Sequence, residues 1–282
     1  MRIALLTSTG PQDADPDEIP LRDALRAAGA AAEVRAWDDP AFNPREFDLA
    51  VLRSTWNYYR SPERFLAWCD NAARATRLLN PPDVVRANAH KGYLRTLERR
   101  TLPIVPTAWF ERGATPDLDS LLRDRGWTDI VVKPAVSAGS WRTKRFSDAQ
   151  TTDAAAFLST ITADGDAMIQ PFVPSVERGG EKSILWIAGE VTHTIIKHPR
   201  FAGHEERVEL GPAPTRAEID MVRAALGDLE DRLLYARLDV MLDTRGRPMV
   251  SELELIEPSL FLLEHPPAME RLVTAIAQVG RR

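Results

Sequence analysis

The stretch that most restricts this fold is a pair of alternating runs near the C-terminus. Residues 235–242 read Tyr-Ala-Arg-Leu-Asp-Val-Met-Leu, residues 249–256 read Met-Val-Ser-Glu-Leu-Glu-Leu-Ile, and a polar linker containing Gly246 joins them. Alternation with period two marks strands that bury one face, and a short Gly-containing linker makes the two runs a hairpin. With the turn centred on Arg245-Gly246, Asp239 faces Glu252 and Arg237 faces Glu254. Leu238, Val240, Leu242, Met249, Leu253 and Leu255 then share an apolar face, and the four charged residues share the other. A slip of one residue would push charge into the apolar set, so the pattern favours this register.

Three carboxylates on one sheet face repel each other, because like charges opposite one another weaken a ladder. A hard cation among Asp239, Glu252 and Glu254 would resolve the repulsion, and Mg²⁺ favours carboxylate oxygens combined with nucleotide phosphates. A solvated polar face with Arg237 neutralising part of the charge is the alternative. The pattern leaves both open.

Strand-like residues 2–7, 32–36 and 48–52 enclose an amphipathic helix over 19–28 that stops at Gly29, which predicts a βαβ-type unit with a parallel sheet. Helical spacing recurs over 62–77, 87–99 (carrying Lys91), 118–125, 154–162, 215–233 and 267–279, with Asn80-Pro81-Pro82 as a boundary. Residues 130–133 and 167–170 read as strands, and 183–188 and 191–197 open a strand-rich region. Pro199 to His204 forms a loop there.

Lys133 stands at the mouth of its strand, before Ser137-Ala138-Gly139-Ser140. Small residues leave room for phosphate oxygens to approach backbone amides and hydroxyls. No Gly-Lys-Ser/Thr follows, so this is not a Walker A loop; a surface lysine beside a flexible turn is the plain reading of the segment alone. Arg53-Ser54-Thr55-Trp56-Asn57-Tyr58-Tyr59 follows a strand and is dense in hydrogen-bonding groups. Loops beyond strand ends bind ligands in doubly wound folds, which makes this a substrate-loop candidate against an ordinary surface loop. His193, His198 and His204 lack metal-ligand spacing and read as polar contacts. The seven tryptophans are scattered, as packing residues are.

A chain of 282 residues is long enough for two or three lobes. A net charge of −5 argues against a nucleic-acid surface, and the single Cys69 excludes an internal disulfide and a cysteine-rich metal site. The N-terminal apolar run is too short for a secretory leader, and no stretch reaches the roughly 18 apolar residues of a membrane span. A cytoplasmic protein, with no membrane partner, is the expectation. A homodimer is the default for a soluble enzyme.

In order, a first lysine, a Val-Val-Lys-Pro strand, a small-residue loop, Gln-Pro-Phe-Val, Gly-Glu-Lys and a carboxylate hairpin resemble the ATP-grasp superfamily, and within it the glutathione-synthetase-like branch. The resemblance spans residues 85–260. It implies an α/β fold, α+β in the ATP-binding lobes, with an N-terminal domain over 1–84, a central lobe over 85–170 and a C-terminal lobe over 171–282. It also implies that Lys91 and Lys133 meet the nucleotide phosphates, and that Ser137, Ala138, Gly139 and Ser140 close over them. Gln170, Pro171, Phe172 and Val173 would read the adenine edge, and Glu181 would hold the ribose. Asp239, Glu252 and Glu254 would bind Mg²⁺; Glu254 departs from the asparagine more usual there. Arg237 would stabilise the transferring phosphoryl group. Lys197, on the strand before Pro199, is a catalytic candidate from its position, as a ligand of a substrate carboxylate or of the γ-phosphate.

The implied activity is an ADP-forming ligase that phosphorylates a small carboxylate or carbonyl group with ATP and makes a C–N bond. The segments 53–58 and 251–260 further resemble a small subgroup that includes the cyclo-ligase closing O-ureido-serine to cycloserine. In that setting Arg53, Ser54, Thr55, Asn57, Tyr58, Glu257 and Ser259 would line the substrate site. A ligase acting on a peptide or protein, and a non-catalytic ATP-binding protein, are the other readings.

Overall fold

Continuous apolar runs flanked by amphipathic helices build a parallel sheet at the N-terminus. Strand β1 (Arg2–Thr7) is followed by α1 (Glu18–Ala27), β2 (Ala31–Ala36), β3 (Leu49–Leu52), α2 (Pro62–Ala75) and β4 (Arg77–Leu79). The order is β2-β1-β3-β4, all parallel. Ile3 to Leu6 and all of β3 are buried, as strands covered on both faces must be. The computed structural model describes residues 1–10, 15–198 and 207–280; the 199–204 loop, including His204, lies outside them.

Next come α3 (Pro82–Asn88), α4 (Tyr93–Arg99), β5 (Ala108–Phe110), α5 (Leu118–Arg125), β6 (Ile130–Pro134), β7 (Lys144–Phe146), α6 (Thr151–Asp164) and β8 (Ala167–Pro171). The four strands form an antiparallel sheet in the order β5-β8-β6-β7. The single helix expected over 87–99 is two. The Lys91 amide donates to the carbonyl of Ala135 (2.8 Å) and leaves the helical ladder.

The remainder comprises α7 (Ser175–Gly179), β9 (Glu181–Ile187), β10 (Glu190–His198), β11 (Arg207–Leu210), α8 (Arg216–Leu226), β12 (Tyr235–Leu242), β13 (Pro248–Glu254) and α9 (Pro266–Val279). The antiparallel sheet runs β11-β10-β9-β12-β13. The helix expected to reach Leu233 stops at Leu226, where Gly227 takes a φ of +51° and a 3₁₀ turn follows. The helix expected to reach Arg77 ends at Ala75, because Thr76 is extended and Arg77 joins the first sheet. No helix among the described residues is long and apolar enough to cross a membrane.

Each face of the large sheet packs on a different partner. Ile184, Trp186, Ala236, Leu238 and Val240 meet Leu94, Leu97, Val222 and Leu226 of α4 and α8. The opposite face carries Leu185, Ile187, Ile195 and Tyr235, covered by Ile3, Leu5, Leu21 and Leu25 of the first lobe and by Leu272 and Ile276 of α9. The sheet β5-β8-β6-β7 has a buried core drawn from residues 108–169 alone.

A charged site at the uncovered end of the large sheet

Period-two alternation carries the face lined by Tyr235, Leu185 and Ile195 onward into charge. Arg237 and Asp239 follow Tyr235, Ser183 and Glu181 precede Leu185, and Lys197 follows Ile195. The same cross-strand face receives Glu252 and Glu254, with Asp239 opposite Glu252 and Arg237 opposite Glu254 as the sequence predicted. Beyond Asp239 the ladder shifts: Val240 pairs with Val250 and Met241 with Met249. Val250, not Met249, therefore fills the apolar face, and Leu242 is 46% exposed. Ser251 is the surplus residue of this bulge, and its hydroxyl reaches Glu181 Oε1 at 2.5 Å.

Asp239 is fully buried. Its Oδ1 accepts from Ser183 Oγ (2.6 Å) and Arg237 Nε (2.9 Å), and its Oδ2 from Lys197 Nζ (2.7 Å) and Arg237 Nη2 (2.9 Å). Burial raises its proton affinity, but Arg237 and Lys197 overcome that and hold the carboxyl below its ordinary range. Lys197 also pairs with Glu181 (2.9 Å), and Arg237 with Glu254. Burial, then the charges of Asp239 and Glu252 working against Arg237, leaves Glu254 raised to about 7.

Lys91, placed by the break between α3 and α4, pairs with Glu252 and donates to the carbonyl of Ser137 (3.2 Å). It is thereby tied to the start of the 137–140 loop, where Gly139 and Ser140 adopt φ of +58° and +59°. Burial opposes the charge of Lys91, yet Glu252 keeps its pKa above the usual value. Lys133 has no hydrogen-bond or ion-pair partner among the described residues. Burial, with Lys91 and Lys197 nearby, lowers its pKa.

One oxygen each from Asp239, Glu252 and Glu254 lie within 4.8 Å of one another. Two ligands at about 2.1 Å from one Mg²⁺ span at most about 4 Å, so a small side-chain adjustment closes the set on an ion. The donor set is all carboxylate oxygen and fits Mg²⁺. The face is not the solvated one of the alternative reading: Asp239 is fully buried, and Lys197 and Lys91 join Arg237 in balancing the carboxylates.

The 53–59 loop is not a surface loop. Arg53 and Thr55 are fully buried, and Ser54 and Tyr58 nearly so. Arg53 Nη2 binds Asp15 Oδ2 (2.9 Å), Ser54 bonds Thr7 and Glu18, and Asn57 bridges Trp37 Nε1 and Asp38 Oδ2, both at 2.7 Å. Gln170 Nε2 donates to Thr107 (3.0 Å), and the Phe172 amide to the Asp129 carbonyl (2.8 Å). The Phe172 ring lies under Arg145 at 3.5 Å in a surface hollow of 350 Å³ that includes none of the charged-face residues. Val173 is buried beside it. His193 is buried against His265, their rings stacked at 4.8 Å, and His198 meets Glu209.

Sequence reading missed Ser183, Ser251 and Trp56. Parity with Glu181 was a usable signal for Ser183; the bulge that turns Ser251 inward leaves none. It also missed Asn80, which donates to the carbonyls of Tyr235 (3.0 Å) and Leu255 (2.8 Å) and fastens the first lobe to the hairpin.

Residues 3–80 match the N-terminal domain of the D-cycloserine synthetase DcsG. The chain is 30% identical to the cycloserine biosynthesis protein DcsG of Streptomyces lavendulae, over 98% of each chain. The crystal structure of D-cycloserine synthetase DcsG superposes with a TM-score of 0.91 at 28% identity, covering 99% of this chain and all of the other. A D-alanine–D-alanine ligase from Bacillus anthracis, solved with ATP, shares the fold at a TM-score of 0.68 and 17% identity, covering 100% and 98%.

Proposed function

The chain belongs to the DcsG family of ATP-grasp, ATP-dependent ligases, and on that premise we propose that it closes O-ureido-D-serine to D-cycloserine with Mg²⁺ and ATP. The observation that carries this reading is one sheet face bearing three convergent carboxylates beside a half-buried lysine without a partner among the described residues. A cation with no protein anion is matched by a ligand that brings one, and the phosphates of ATP do so. Lobe limits near residues 84 and 170 belong to the same reading.

Mg²⁺ held by Asp239, Glu252 and Glu254 would draw charge from the phosphates. Lys133 and Lys91 hold phosphate oxygens, the second exchanging Glu252 for them. The 137–140 loop covers the phosphates and excludes water, while Gln170, Pro171, Phe172 and Val173 border the base. Glu181 is tied to Lys197 and Ser251, so it orients Lys197 as well as facing the ribose side. Arg237 and Lys197 stabilise the phosphoryl group as it moves to the substrate carboxylate. The ureido nitrogen attached to oxygen then attacks the acyl carbon; the C–N bond forms, inorganic phosphate leaves and the nitrogen gives up a proton. The carbamoyl group departs, with water, as ammonia and carbon dioxide.

ADP release is measured with Mg²⁺-ATP and a panel of amino-acid-derived carboxylates, with Glu252→Gln as control. Release that requires O-ureido-D-serine and disappears in the variant sustains the reading. Release driven by another member of the panel replaces the substrate, and ATP binding without release by any of them points to a peptide acceptor.

A further inference from the structure

Five successive carbonyls after the hairpin are each held by a side chain from elsewhere. Tyr235 OH donates to Ile256 (2.9 Å), Trp56 Nε1 to Glu257 (2.9 Å), Arg53 Nη1 to Pro258 (3.2 Å), Arg237 Nη1 to Ser259 (3.4 Å) and His193 Nε2 to Leu260 (3.0 Å). Two amides beyond, of Leu262 and Leu263, donate to Asp17. Backbone outside a sheet or helix is rarely clamped so completely, and the clamp fixes where the side chains of this segment stand.

Within it, Glu257 is 6% exposed. Its carboxylate accepts no hydrogen bond from any described residue, yet neither oxygen is sealed from the cleft. None of the nearby cationic side chains bonds it: Lys91 binds Glu252 and Ser137, Arg237 binds Asp239 and Glu254, and Arg53 binds Asp15 and Pro258. Glu257 is also absent from the three carboxylates whose oxygens converge, so a metal ion there would have a single protein ligand. A buried carboxylate that no neighbouring side chain bonds is completed by a donor on the ligand.

We propose that Glu257 receives the ammonium group of the substrate and makes the enzyme selective for α-amino carboxylates. Arg53 and Trp56 are positioning residues in this scheme, acting through the peptide carbonyls that flank the Glu257 side chain. The inference rests on the ligase reading above for its substrate. Burial, reinforced by Glu254, raises the proton affinity of Glu257 well above the ordinary range, so an arriving cation is what lets it ionise.

The test compares O-ureido-D-serine with the analogue in which hydrogen replaces the ammonium group, in wild type and in Glu257→Gln. A charge-assisted hydrogen bond corresponds to a preference of about 10- to 100-fold in kcat/KM for the ammonium compound. Glu257→Gln is expected to bring that ratio close to one, mainly through KM. A variant that slows both compounds equally, a shifted Mg²⁺ requirement, or a wild type without preference overturns the assignment. If the wild type turns over neither compound, the cyclo-ligase reading fails, and calorimetry on the Mg·ADP enzyme decides the role of Glu257 instead. Binding of D-serine over 3-hydroxypropanoate that is lost in Glu257→Gln sustains it; equal binding of the two overturns it.

Discussion

Two clusters of buried charge, one around Arg53 in the first lobe and one on the hairpin, are satisfied in different ways. In the first lobe, Arg53 and Asp15 pair with side chains 0% and 1% exposed, and Asp17 is bound by the amides of Leu262 and Leu263. On the hairpin, Asp239, Glu252 and Glu254 are matched by Lys197, Lys91 and Arg237, whose long side chains can turn to another anion. Backbone donors and the fully enclosed Arg53 cannot leave without unfolding a segment, whereas Lys91 and Lys197, 10% and 12% exposed, exchange partners by rotating a few bonds. The first arrangement is suited to holding a shape, the second to changing its contents.

The largest expected effect separates the two clusters directly. Arg53→Met leaves Asp15 as an uncompensated buried charge and is expected to lower stability by roughly 3–5 kcal/mol, read by denaturant unfolding. ATP affinity of the folded variant should be retained; a parallel loss of nucleotide binding would erase the distinction. Lys133→Met is the converse. It should weaken ATP binding about 10- to 100-fold while stability holds or rises, because a desolvated cation without a partner is removed.

The last effect is a slope, small per unit of pH. Burial, then the adjoining His265, lowers His193 to about 4, so the unfolded chain takes up its proton first as pH falls. The His193 contribution to stability is complete above about pH 6.5 and declines toward pH 4 by at most about 1.4 kcal/mol per unit. Glu254, raised to about 7, is protonated first in the folded state and runs the other way. The measurement is therefore the difference between wild type and His193→Gln, with the slope expected to flatten in the variant.

The hairpin was legible because alternation kept its charged residues on one face, and the pairing of Asp239 with Glu252 held although the turn is built differently. The symmetric turn was not what forms: a five-residue tip between Leu242 and Pro248 and the surplus Ser251 offset each other. Lys91 was found as a residue but not as a helix break, since the amide bond to Ala135 that interrupts the helix is tertiary. The 53–59 loop was legible as polar but not as buried, because the partners of Arg53 lie 38 and 205 residues away. Strands β5, β7 and β11 span three or four residues each, too few for alternation to show.

The separate core of the sheet β5-β8-β6-β7 has a mechanical consequence. The first lobe and the large sheet share one apolar core through α1 and α9, so those two behave as a fixed jaw. The sheet carrying Lys133 draws its main buried cluster from its own residues and meets the first lobe through one short segment, with Val136 and Ala138 on that lobe's core and Trp141 against Tyr59. Opening the cleft should therefore be one-sided: the phosphate-holding jaw swings, while the carboxylates and the clamped 256–260 segment stay registered to each other throughout the cycle.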